Sequence, residues 1–212
     1  MNALLGKKIA HTSSKPGRTK LMNAFGAGGQ NEFGRHRMIV LDMPGYGKGG
    51  REEWGREIMK YLEKRKELKR VFLLIETEHG IKETDRQILT LLREHEIPFQ
   101  IVLAKADKIL FPSSRYPNQK ILDGRFATLR AYMDAVREAI SDLELVHGEI
   151  GEVIACSSEK RVEGRVLGID AVRFAMLSAV GLESKDRSSL PNPVEVVAFE
   201  DLVYSKDASL VS

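Results

Sequence analysis

The sequence predicts an α/β fold, and two observations carry that prediction. Short apolar runs of strand character alternate with stretches of helical periodicity along the 212 residues. Two of the runs, Met38-Ile39-Val40-Leu41 and Ile101-Val102-Leu103, lead directly into polar words, Asp42-Met43-Pro44-Gly45 and Ala104-Lys105-Ala106-Asp107.

Taken in order, Lys20 to Phe25 reads as a strand, followed by a glycine-rich turn at Gly26-Ala27-Gly28-Gly29. Arg37 to Leu41 is the next strand, so the two are expected to pair as a hairpin. Glu52 to Arg65 is helical, with Trp54, Ile58, Tyr61 and Leu62 on one face. Val71 to Ile75 is a buried strand, and Thr84 to Glu94 a helix that aligns Ile88, Leu91 and Leu92. Phe99 to Leu103 is a buried strand after Pro98. Leu122 to Leu143 is a long helix in which Phe126, Leu129, Met133, Val136 and Ile140 follow helical spacing. Glu152 to Cys156 is the last core strand, and Ile169 to Val180 a final amphipathic helix. Phe111 to Gln119, with Pro112 and Pro117, reads as a surface loop. The domain boundaries expected are 1–182 for the α/β domain and 183–212 for a tail carrying serines, Pro191 and Pro193. Within that tail Val194 to Phe199 is a candidate added strand or docking element.

A 42% hydrophobic and 30% charged composition describes an ordinary globular chain. The net charge of +3 is compatible with an RNA-rich partner and equally with a solvated surface. The one cysteine, Cys156, excludes an internal disulfide framework and a zinc–thiolate cluster. His11, His36, His79, His95 and His147 show no ligand spacing. No apolar run approaches the roughly 20 residues of a membrane span, and no membrane partner is expected. Lys60, Lys64, Arg65, Lys66, Lys69 and Arg70 cluster at a helix end, facing either RNA or solvent.

The two strand-end words suit nucleotide chemistry. Asp42 ends a strand, where a carboxylate can reach a magnesium ion through water. Gly45 after Pro44 lets the backbone approach a terminal phosphate that a side chain would obstruct. An ordinary strand-to-loop turn uses the same residue types. Asp107 can accept both the ring N–H and the exocyclic amine of guanine, a donor pair that adenine lacks. The Lys105 stem would lie along the base plane. Cys156-Ser157-Ser158 follows the next strand, where the backbone N–H of Ser158 or its neighbour would donate to the guanine carbonyl. Upstream, Ser13 to Thr19 is a polar stretch whose threonine can offer its hydroxyl to magnesium when a γ-phosphate is present. D-x-P-G and x-K-x-D in this order are the γ-phosphate and guanine words of a GTPase. The expected fold is therefore the three-layer sandwich of a P-loop G domain. Its phosphate-cradling G-x-x-x-x-G-K-[ST] loop does not occur in these residues.

Together, S-S-K-P-G-R-T at Ser13 to Thr19, D-M-P-G-Y-G at Asp42 to Gly47, A-K-A-D at Ala104 to Asp107 and C-S-S at Cys156 to Ser158 resemble the EngB/YihA-type GTPases. Trp54 and Tyr61-Leu62 with Arg65 extend the similarity, which runs from Met1 to about Leu182. The resemblance implies a GTPase of large-ribosomal-subunit assembly that binds GTP and GDP and contacts ribosomal RNA and proteins as a monomer. It implies nucleotide contacts at Pro16, Gly17, Arg18, Thr19, Asp42, Pro44, Gly45, Lys105, Asp107, Cys156, Ser157 and Ser158. Magnesium would be held by Thr19 and Asp42. Tyr46 stands where Ras-like proteins carry a catalytic glutamine. Slow intrinsic hydrolysis is implied, with the water positioned by another group, a potassium ion or the ribosome. The loop at Phe111 to Gln119 and the tail look more like a eukaryotic organellar member, a fungal mitochondrial form, than a compact bacterial one. A cytoplasmic location is the alternative.

The sequence departs from the family at three places. Ala104 replaces a Thr or Asn that braces neighbouring loops, and Glu76 replaces an Asp. Met1 to Gly6 resembles the end of the helix that follows the phosphate loop. The lysine and serine of that loop would lie a few residues upstream, and the first strand would lie between those ending at Asp42 and beginning near Val71. Without that strand two edges lose their partners, at ~1–3 kcal/mol per unsatisfied buried group, against a usual stability of ~5–15 kcal/mol. The expectation is an N-terminally truncated gene model. A pseudo-GTPase module that binds ribosomal RNA or protein is the second reading. A GTPase of the tRNA-modification or septin type is the third, with no added RNA-binding domain or coiled coil to support it.

Overall fold

The computed structural model describes residues 1–10, 22–43, 61–62, 64–113, 117–141, 152–162, 164–182 and 195–197. Its elements are α1 (Asn2–Leu5), β1 (Asn23–Gln30), β2 (His36–Asp42), β3 (Val71–Glu76), α2 (Glu83–Glu94), β4 (Phe99–Ala104), α3 (Asp107–Leu110), α4 (Gln119–Ser141), β5 (Ile154–Ala155), β6 (Arg161–Val162), β7 (Arg165–Val166), α5 (Ile169–Ala179) and β8 (Glu195–Val197). They fall into two compact units, Met1–Gly55 with Val180–Ser212, and Arg56–Ala179.

In the first unit, β1 and β2 form the expected antiparallel hairpin, registered from Asn23 opposite Asp42 to Ala27 opposite Met38. The glycines do not form its turn. Gly26 lies inside β1 against the His36 ring, which a Cβ there would meet at 2.5 Å. Gly28 and Gly29 have φ of 79° and 74°, where the register shifts between Ala27 and Gln30. This is the bulge geometry that glycine permits. The turn comes later. The Asn31 N–H donates to the Arg35 carbonyl at 2.8 Å, and the Gly34 N–H to the Asn31 carbonyl at 2.9 Å. β8 adds to the other edge of β1, antiparallel, with Ala24 opposite Val197 and Gly26 opposite Glu195. The tail segment singled out as an added strand is thus a strand over those three residues. β2 is an edge of this sheet.

In the second unit, β3, β4 and β5 form a parallel sheet in that order, with β4 central and β3 at an edge. Ile101, Val102 and Leu103 of β4 are buried on both faces, as the continuous apolar run requires. β3 alternates, with Leu73 and Ile75 buried and Leu74 exposed. α2 buries Leu89 and Leu92, and its first turn is held by the Asp85 carboxylate accepting from the Lys82 N–H at 2.7 Å. α4 buries Leu122, Leu129, Val136 and Ile140 on one stripe. A cluster of Ala106, Leu110, Phe111, Leu122 and Leu129 joins the end of β4 to that helix. Each such aliphatic residue contributes roughly 1.5–3 kcal/mol by leaving water. Gln100 is the polar exception in β4. It accepts from the Arg70 guanidinium at 3.1 Å and donates to the Glu152 carbonyl at 2.8 Å. Arg70 is thereby tied to the core strand β4. Among the described residues, no helix is long and apolar enough to cross a membrane.

Candidate nucleotide-binding site

The end of β4 is built around a reversal of the chain at Lys105. Its φ of 60° lies in the left-handed region, a conformation that costs a residue with a Cβ roughly 1–2 kcal/mol. The surroundings hold it there. The Ala106 N–H donates to the Cys156 carbonyl at 3.0 Å, and the Cys156 N–H donates to the Leu103 carbonyl at 2.8 Å. The Lys105 ammonium donates to the Glu76 carboxylate at the end of β3. That hydrogen bond is the main cause holding the Glu76 carboxyl below its usual range. His79 lies 3.5 Å from the second Glu76 oxygen. Asp107 follows on the first turn of α3 and is buried.

The end of β4 is also held from the β3 side. The Thr77 hydroxyl donates to the Ala104 carbonyl at 2.6 Å, and the Thr77 N–H donates to the same oxygen at 3.0 Å. Thr77 is almost fully buried. Thr77, directly after β3, therefore ties the β3 and β4 ends together. Sequence reasoning missed Thr77 because one Thr after an apolar run is an ordinary strand ending.

Cys156, Ser157 and Ser158 follow β5 beside this corner, as the word order requires. Burial pushes the Cys156 thiol up to about 11, so it is an unreactive packing residue at neutral pH. Ser157 is fully buried and turns the chain. Its hydroxyl accepts from the Glu159 and Lys160 N–H groups, each at 3.1 Å. Its own N–H donates to the Leu167 carbonyl at 2.9 Å. The Ser157 N–H is thereby committed, and Ser158 is the exposed one of the two. Gly168 makes the arrangement possible. With φ of 68°, a Cβ there would lie 2.0 Å from the Ala155 carbonyl oxygen. That close approach packs the loop after β7 against the end of β5, and a lone glycine in a loop gives no sequence signal of it.

In the first unit, Asp42 ends β2 half-buried, and burial raises its carboxyl above the ordinary value. One hard oxygen donor at a strand end fits an ion such as magnesium, which takes most of its ligands from phosphate and water. Asn2 was also missed. Its side-chain oxygen accepts from the Ile9 and Ala10 N–H groups at 3.0 and 2.8 Å, and its amide donates to the Ala10 carbonyl at 2.9 Å. It fixes the chain immediately before the Ser13 to Thr19 word. Pro16, Gly17, Arg18, Thr19, Pro44, Gly45, Tyr46 and Trp54 lie outside the described residues. Arg65 stacks over the Tyr61 ring at 4.7 Å, which accounts for that pair.

A parallel α/β sheet with a K-x-D word at the end of its central strand defines the class as a GTPase-type domain. A family model described as "50S ribosome-binding GTPase" matches residues 1–105. Probable GTP-binding protein EngB of Chelativorans sp. is 36% identical over 188 residues, covering 85% of this chain and 73% of that protein. The chain belongs to the EngB-type GTPase family. EngB proteins of Rhizobium etli and Rhodospirillum rubrum are 42% and 44% identical over 53% and 51% of this chain, and 56% and 49% of theirs. The chain thus spans about half the length of these relatives. Translation elongation factor SelB from Methanococcus maripaludis aligns with a TM-score of 0.38 and 10% identity over 68% of this chain and 25% of its own, too distant to bear on the site.

Proposed function

We propose that the protein binds GTP and hydrolyses it in assembly of the large ribosomal subunit, in mitochondria. The observation that carries the proposal is the corner at the ends of β4 and β5, where Asp107 is buried beside a constrained Lys105. Asp107 would accept the two guanine donors, the Lys105 stem would cover the base, and the Ser158 N–H would donate to the guanine carbonyl. Ser157 holds that loop by its hydroxyl and has no N–H to spare. Asp42 with Thr19 would hold magnesium, and Gly45 would admit the terminal phosphate. The ion supplies charge neutralisation on the phosphates. Support for the ribosomal setting is the family membership and the name of the matching family model. The organellar location rests on the loop before α4 and on the tail.

The test is fluorescent GTP and GDP binding by this chain and by the same chain preceded by a G-x-x-x-x-G-K-[ST] strand and loop. Binding by either, abolished by Asp107→Ala, supports the proposal. Binding by neither, with the protein folded, overturns it in favour of the pseudo-GTPase scaffold. Asp107→Asn should weaken guanine nucleotides by roughly ten- to a hundredfold and shift preference to xanthine nucleotides, whose ring offers the complementary acceptor.

A further inference from the structure

The turn joining β1 and β2 presents an aromatic ring to solvent on a rigid mount. Phe33 is 77% exposed. Its backbone is not free to move with it. The Asn31 side-chain oxygen accepts from the Phe33 N–H at 3.0 Å and from the Arg35 N–H at 2.9 Å. Gly34, with φ of 72° and open space around it, completes the turn. Arg35 in the turn and Arg37 on β2 are exposed, and Glu32 is the one acidic residue between Asn31 and Arg37.

A lone exposed phenylalanine is unremarkable by area. This one is pre-ordered by its neighbours, so binding through it loses little conformational freedom. The other large apolar side chains exposed among the described residues, Leu74, Ile121 and Phe174, sit on β3, α4 and α5. Within residues 31–37, Phe33 is the one large apolar side chain, so the turn itself offers one ring face and two guanidiniums. A protein hot spot needs a packed apolar surround that excludes water. A nucleobase needs a single ring face, and its flanking phosphates need cations.

We propose that this turn is a stacking contact for an unpaired RNA base, with Phe33 against the base and Arg35 and Arg37 on the adjoining phosphates. The proposal rests on the ribosomal reading above and names the class of contact. It is tested separately from nucleotide binding, because Phe33 belongs to none of the words assigned to GTP.

The experiment measures fluorescence anisotropy of labelled single-stranded RNA of roughly 12 nucleotides, and of a duplex of the same sequence, with the full chain over a range of salt. Phe33→Ala and Phe33→Leu should each weaken single-strand binding by about tenfold, while Phe33→Tyr retains it. The Arg35→Ala/Arg37→Ala pair should lower the salt slope by about 1.4, from about 0.7 per lost phosphate contact. Circular dichroism and guanine nucleotide binding of the Phe33 variants should match the parent. Single-strand binding by Phe33→Leu equal to the parent overturns the proposal and leaves an apolar protein contact as the alternative. Equal binding of duplex and single strand, or no RNA binding by the parent, overturns it as well. RNA stacking without any nucleotide binding would sink the GTPase reading and leave this inference standing.

Discussion

Thr77 and Asp107 divide the work at the end of β4. Asp107 offers the carboxylate, and Thr77 fixes the backbone that aims it. Replacing Thr77 by Val removes one hydrogen bond to the Ala104 carbonyl and should cost about 1 kcal/mol, read as a lowered denaturation midpoint. If the threonine also aligns the Lys105 reversal, guanine nucleotide affinity should fall with it, and an unchanged affinity would confine Thr77 to stability. Cys156 makes a simpler prediction. With its thiol raised to about 11, the native protein should resist alkylation at neutral pH and react once unfolded. A raised folded-state pKa means that its contribution to stability is complete below the unfolded value near 9 and is lost as pH rises through about 11. The placing of Asp42, Lys105, Asp107 and the two serines at or within three residues of strand ends was legible because each follows an apolar run. Thr77, Asn2 and Gly168 were not, because their roles are single contacts across the fold that no local spacing encodes.

Among the elements, β2, β3 and β4 follow from continuous or alternating apolar runs, and α2 and α4 from helical spacing. β1 was misplaced because its glycines read as a turn. They are strand positions where a ring packs against backbone and where the ladder bulges. α3, β6 and β7 escaped notice because two to four residues give no period. The expected last core strand keeps hydrogen-bonded strand geometry only at Ile154 and Ala155. Gly168 sets the approach of the loop after β7 to β5, so Gly168→Ala should weaken guanine binding and lower the melting temperature together. β8 covers one edge of β1, the strand that begins after the Thr19 segment and pairs with the strand ending at Asp42. Deleting residues 195–197 should speed hydrogen exchange at those amides of Ala24 to Gly26 that face β8. Unchanged protection there would show that the edge is shielded by something else.

For the whole molecule, the two compact units each carry a three-stranded sheet, and β2 and β3 are edge strands of their own sheets. The larger unit holds the most continuous apolar burial, centred on Ile101 and Leu103. Ile101→Ala should cost about 2–5 kcal/mol and unfold this unit first, seen by amide exchange along β3 to β5. Whether the β4 and β5 ends form a guanine pocket is decided by amide chemical shifts of the labelled chain during titration with GDP, guanosine and their adenine counterparts. A guanine pocket there should give shifts at Lys105 to Asp107 and Ser157 to Lys160 with the guanine compounds and none with adenine. Equal shifts with both bases, or guanine-induced shifts confined to other residues, would contradict it.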